Sequence, residues 1–259
     1  MSPQGRPKGE YRSAKHEGTP VGARLVGAIV LAGALAGCAP PASRPADEGA
    51  RSPVDAAQRP ADFPEAYYLD AAKKGTAVYT IDPKSSLVVI EVRRAGTLAQ
   101  LGHDHVVASH DVRGYVAPAD GRADLYVRLD LLAVDERDLR AEAKLESQPP
   151  DDAIAGTRDN MLRKLAAQEH PYAIVGVRGV DIDATGSWLR ATLTVNGAEQ
   201  ALRIPARIAV ALSEVEVSGQ LEVKQTSFGI TPYSILAGAL QVQDEVAIRY
   251  RIRARRLAM

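Results

Sequence analysis

The chain has 259 residues, 32 basic and 32 acidic side chains, no net formal charge, one cysteine and one tryptophan. The charge balance excludes a nucleic-acid partner, which would need a clustered basic surface. A single cysteine excludes an intramolecular disulfide, so any folded part must be held by its own core.

In chain order, the first recognisable element is an apolar run from Leu25, preceded by Arg24 and closed by Leu35-Ala36-Gly37-Cys38. A basic residue, a short apolar stretch and small residues before a cut site describe a secretory signal at residues 1–37. The run is too short to span a bilayer comfortably. Residues 1–20 are polar and charged, an odd prefix that points to an over-called start, with Val21 an alternative initiator. Leu35-Ala36-Gly37-Cys38 resembles a bacterial lipobox, which implies that Cys38 is acylated and becomes the first residue of the mature protein. Ala39 in second place then favours the outer membrane by analogy with known lipoprotein sorting. Loss of residues 1–37 removes five basic and two acidic residues, leaving a slightly acidic mature chain.

Residues 38–65 are rich in Pro, Ala, Asp, Glu, Arg and Ser and nearly devoid of large apolar side chains. Such a segment cannot bury enough surface to order itself and reads as a disordered tether. Residues 66–259 fit one domain with a full core.

Within that domain the dominant hydrophobic period is two. Ser86–Arg94 alternates Val88, Ile90 and Val92 against Val89, Glu91 and Arg93. A short helix is expected near Ala95–Gly102. Ala123–Leu131 sets Leu125, Val127, Leu129 and Leu131 against Asp124, Tyr126, Arg128 and Asp130. Asp151–Glu169 breaks the pattern with Ile154, Met161, Leu162 and Leu165 at helical spacing, so a helix is expected from Asp151 or Thr157 to Ala167, ended by Pro171. Alternation resumes with Leu189, Ala191, Leu193 and Val195. Asn196-Gly197 then marks a tight hairpin, because both positions tolerate positive φ. The next strand carries Leu202, Ile204, Ala206, Ile208 and Val210, and the last carries Val246, Ile248, Tyr250 and Ile252. Arg249, Arg251, Arg253 and Arg255 occupy the opposite, solvated face of that last strand.

Alternation of this kind belongs to half-buried antiparallel strands rather than a buried parallel sheet. Many strands with one or two helices in the connections predict a mainly β, closed antiparallel barrel of about eight strands, with a packed sandwich as the other architecture. A barrel of that size holds side chains or one small ligand. The inward faces supply Val88, Ile90, Val92, Leu125, Val127, Leu129, Leu193, Ile204, Ile208, Val246, Ile248 and Ile252 as candidate lumen residues. Filled and hollow barrels share this pattern, so the same residues could equally form a solid core.

Tyr79-Thr80-Ile81-Asp82-Pro83-Lys84-Ser85-Ser86 followed by Leu87–Val92 resembles the opening strand of the YceI-like family. Gly114, Arg158-Asp159-Asn160-Met161-Leu162, His170-Pro171-Tyr172, Leu193-Thr194-Val195-Asn196-Gly197 with Ile204-Pro205, Ser227-Phe228-Gly229-Ile230 and Val242–Ile252 follow in matching order. The resemblance implies a lipocalin-like barrel with an apolar lumen for polyisoprenoid chains, and a non-enzymatic lipid binder facing the bacterial periplasm. No other cofactor is implied, and a homodimer is compatible with the pattern.

Gly102-His103-Asp104-His105 departs from the family's commonest pattern. On an extended backbone His103 and His105 project to one face and could share a divalent metal. A zinc or copper site needs at least a third ligand, from His110, Asp104 or His170, and catalysis would need an open position. The alternative is polar capping, or lining a mouth to meet a ligand's polar head. No serine-hydrolase, phosphate-loop or dinucleotide signature is present. Three functions therefore stand: a lipid carrier, a metal-binding protein centred on His103 and His105, and a structural lipoprotein with a filled barrel.

Overall fold

The computed structural model describes residues 59–145 and 147–258. The signal, Cys38 and most of the tether lie outside these residues. No helix among the described residues is long and apolar enough to cross a membrane.

Helix α1 (Glu65–Lys73) precedes β1 (Tyr79–Ile81) and β2 (Leu87–Val92), two parts of one opening strand bent by a 3-10 turn at Pro83–Ser85. The short β3 (Arg94–Ala95) follows, then β4 (His105–Ser109), β5 (Val112–Ala117), β6 (Arg122–Arg128) and β7 (Ala133–Val134). Two helices come next, α2 (Arg137–Glu142) and α3 (Asp151–Lys164). The remaining chain forms β8 (Tyr172–Asp183), β9 (Gly186–Val195), β10 (Ala198–Val210), β11 (Glu214–Lys224), β12 (Ser234–Ile235), β13 (Leu240–Val242) and β14 (Glu245–Arg256).

Eight strands close into an antiparallel barrel in the order β1, β5, β6, β8, β9, β10, β11, β14, with β14 returning to pair with β1. Past the bend, β2 continues along β14 and takes β4 as its other neighbour, and β4 carries β7. Closure leaves the main ring without an exposed edge. The β9–β10 connection is the expected tight hairpin: Asn196 has φ 53° and Gly197 φ 72°, and Val195 pairs with Ala198. Both central residues at positive φ match the right-handed strand twist. Gly114 has φ 146°, and a Cβ there would stand 2.2 Å from the Asp124 carbonyl oxygen. Only glycine lets β5 and β6 approach so closely.

Alternation sorts side chains as expected. Val127, Ile252, Val107 and Val112 meet inside the barrel in one buried cluster, and Ala123, Val177, Ala191 and Ile204 form a second. The outer face is also partly covered. Val89, Val106 and Ala108 pack under Leu139 of α2, while Tyr68 of α1 is fully buried against Val78, Tyr115 and Ala117. The Tyr68 ring stacks on Tyr115 at 5.3 Å, and its hydroxyl donates to Asp124 at 2.6 Å. Arg249, Arg253 and Arg255 point outward and pair with Glu142, Glu216 and Asp82.

Several expected elements change. Over Ala95–Gly102 the helix reduces to a 3-10 turn at Ala99–Leu101, because Gly96 at φ 93° breaks the chain direction just after β3. The strand expected through Leu131 ends at Arg128, and Leu129–Leu131 forms a 3-10 turn. It leaves the ladder there because the partner strand β8 begins only at Tyr172, opposite Arg128. Arg158 of α3 donates to the Asp130 carbonyl in that turn. Helix α3 ends at Lys164, before Pro171: Ala166 turns left-handed at φ 46°, and the Ala167 amide bonds back to the Leu162 carbonyl.

Candidate functional site

Helix α3 lies against one end of the barrel. Asp151 and Asp152 in its first turn and Arg163 and Lys164 in its last complement the helix dipole. Ile154, Met161, Leu162 and Leu165 face the barrel core. Between this helix, the strand ends and the segment around Phe228 and Ile230 lies a cavity of about 250 Å³.

Its wall is mostly aliphatic. Five of the candidate lumen residues reach it: Ile90 and Val92 on β2, Leu193 on β9, and Val246 and Ile248 on β14. The other candidates sit elsewhere. Val127, Leu129 and Ile252 are in the packed cluster, with Val88 and Leu125 against it. Ile204 belongs to the second cluster, and Ile208 is 37% exposed. The barrel is thus filled where these residues meet and hollow under α3. Sequence reading missed Val107, Val195 and Val223, which also line the cavity, and the contribution of α3 through Thr157, Asn160, Met161 and Lys164. A signal for Val223 was present, since Val215, Val217, Leu221 and Val223 alternate along β11.

The strongest polar feature of the wall is His105 at the start of β4. Its Nδ1 lies 2.7 Å from the Asp135 carboxylate. Asp135 follows β7 at φ 56°, and its side chain is fully shielded from solvent. The turn aims the carboxylate back at β4: the Asp135 amide donates to the Val106 carbonyl, and the Val106 amide donates to Asp135 Oδ1. Arg140 of α2, itself buried, donates to the same Oδ1 at 2.5 Å and to the Asp104 and Ser147 carbonyls. Gln148 Nε2 completes the set by donating to the Asp135 carbonyl. Burial alone would raise the Asp135 pKa, but the hydrogen bonds from His105, Val106 and Arg140 outweigh it and hold the carboxyl below the usual range.

The remaining histidines do not join this group. The His103 and His105 rings lie 6.4 Å apart, edge to face. His110 reaches Glu136 at 2.8 Å on the exposed surface, and His170 packs beside Gly197. Among the described residues no group of three or more His, Cys, Asp or Glu side chains is placed to hold a metal ion.

The sequence pattern of the YceI-like domain matches residues 79–254, from β1 nearly to the end of β14. This chain belongs to the YceI-like family. No curated protein matches it. Among solved structures, the YceI-like domain is similar to a polyisoprenoid binding domain from Saccharophagus degradans implicated in plant cell wall breakdown: 14% identity, 69% of this chain and 98% of that one covered, TM-score 0.48. It is also similar to BcnA of Burkholderia cenocepacia, at 16% identity, with 67% and 99% covered and TM-score 0.46. A YCEI protein of Campylobacter jejuni matches at 16% identity, with 57% and 82% covered and TM-score 0.39.

Proposed function

We propose that this YceI-like protein is a binding protein rather than an enzyme, and that it holds an apolar lipid of isoprenoid type in the cavity beneath α3. The observation that carries this reading is the cavity itself, walled by aliphatic side chains from several strands and roofed by an amphipathic helix. Burying hydrocarbon there gains about 25 cal/mol per Å² removed from water, or about 2.5 kcal/mol per 100 Å². At about 250 Å³ the cavity sits just below the roughly 300–1,000 Å³ of pockets that enclose whole drug-sized ligands. It therefore suits a short chain, or the end segment of a longer one that leaves past α3.

The same proposal places the protein in the bacterial envelope, anchored through acylated Cys38 with the barrel facing the periplasm. Anchoring would keep the cavity near the membrane that supplies its ligand. Metabolic labelling with a fatty acid tests this part: label should appear on the wild-type chain and vanish with Cys38→Ser.

Binding is tested by titrating the full chain, stripped of lipid, with cis-parinaric acid, whose fluorescence rises in apolar surroundings. Saturable one-to-one binding is expected. Ile248→Trp and Leu193→Trp, which fill the cavity from β14 and β9, should each weaken it at least about tenfold while retaining the wild-type circular dichroism spectrum. Absence of saturable binding, or unchanged affinity in both variants, overturns the reading.

A further inference from the structure

A ligand that is only hydrocarbon would offer the His105 ring on the cavity wall no hydrogen bond. His105 lines the cavity, and with Nδ1 turned to Asp135 its other polar atom is Nε2. No partner for Nε2 is present among the described residues. Resting on the lipid-binding reading, we propose that His105 Nε2 is a hydrogen-bond acceptor that selects an apolar chain ending in a free hydroxyl over its ether or its phosphate ester.

Proton bookkeeping carries the argument. An ionised carboxylate can only accept hydrogen bonds. Asp135 is fixed in that state by the Val106 amide and the Arg140 guanidinium, both aimed at Oδ1. Its other oxygen, Oδ2, therefore requires a proton on His105 Nδ1, and the neutral imidazole then has a bare lone pair on Nε2. Asp135 is a positioning residue in this scheme, setting the tautomer without touching ligand. Arg140 supplies the counter-charge of Asp135.

Val92 lies across the ladder from His105, and Ile90, Val107 and Leu132 line the same region. Among such neighbours a ligand that brings an O–H is favoured over one that cannot donate. An ether oxygen has no proton to give. An ionised phosphate ester is itself an acceptor and meets the Nε2 lone pair unfavourably. Lys164 also lines the cavity, but it is exposed, and a solvated lysine discriminates weakly between head groups.

The test uses the full chain with geraniol, geranyl methyl ether and geranyl phosphate, measured by calorimetry on wild type and His105→Leu. Wild type should bind geraniol at least about tenfold more tightly than either derivative. In His105→Leu the preference for alcohol over ether should disappear. Independently of ligand, long-range ¹H–¹⁵N spectra of the wild type at neutral pH should show His105 protonated on Nδ1 and bare on Nε2. Equal wild-type affinity for alcohol and ether, tighter binding of the phosphate, a preference that survives His105→Leu, or the opposite tautomer each overturns the proposal. Ether binding without alcohol preference leaves the lipid-binding reading standing, whereas failure of all three compounds removes both.

Discussion

Replacing Arg140 with leucine removes the cation from the buried group behind His105. The Arg140 side chain is 4% exposed and that of Asp135 is fully buried. The guanidinium bonds Asp135 Oδ1 and the carbonyls of Asp104 and Ser147. In Arg140→Leu the Asp135 carboxylate keeps His105 and the Val106 amide but loses its counter-charge, and the two carbonyls lose their donor. Breaking one side of a buried ion pair costs about 3–5 kcal/mol, because the remaining charge is left uncompensated. That is a large share of the ~5–15 kcal/mol stability of a typical domain. With a urea slope near ~3 kcal/mol/M, the unfolding midpoint should fall by about 1–2 M. Far-ultraviolet circular dichroism during urea titration measures it. The double variant Arg140→Leu with Asp135→Asn should be less destabilised than the sum of the two single variants, since it removes the orphaned charge as well. A loss below about 1 kcal/mol in Arg140→Leu would refute the argument that this pair is buried and mutually dependent.

Three other outcomes are expected. Gly114→Ala should destabilise by at least about 1–3 kcal/mol, because its Cβ would stand 2.2 Å from the Asp124 carbonyl oxygen at a backbone φ of 146°; calorimetric melting reads the loss. Tyr68→Phe should cost only about 1 kcal/mol, since Asp124 retains Arg122 at 2.9 Å and Arg178 at 2.6 Å; a larger loss in chemical denaturation would mean that the hydroxyl, not the stacked ring, docks α1. The Asp135 carboxyl is held below its ordinary value, so the stability it supplies is complete above the unfolded pKa of about 3.9 and disappears as pH falls through the folded value. Urea midpoints measured from pH 5 to pH 2 should drop, with a shallower fall in Asp135→Asn.

Much of the barrel was legible because its strands alternate. Residues Leu87–Val92, Gly186–Val195 and Ala198–Val210 form strands where period two appears, and Asn196-Gly197 makes the hairpin its chemistry requires. Helices α1 and α2 were not anticipated. Each is short, and α1 is fixed by tertiary contacts of Tyr68 rather than by a sustained amphipathic pattern. The wall of the cavity was half legible. Alternation tells inward from outward, but it does not separate Ile248, which borders open space, from Ile252, which is packed. That difference depends on where α3 and the segment near Phe228 cross the barrel end. The setting of His105 was equally hidden. Its partner Asp135 lies 30 residues away, and Asp135 reaches it only through a left-handed residue and a helix-borne arginine.

Native mass spectrometry of the full chain, extracted intact from the membranes of a bacterium that makes it, tests the central claim most directly. Lipid binding in the cavity predicts one apolar adduct per chain, retained through gentle purification and lost in Ile248→Trp. A bare wild-type protein, or an adduct undiminished by Ile248→Trp, would contradict it.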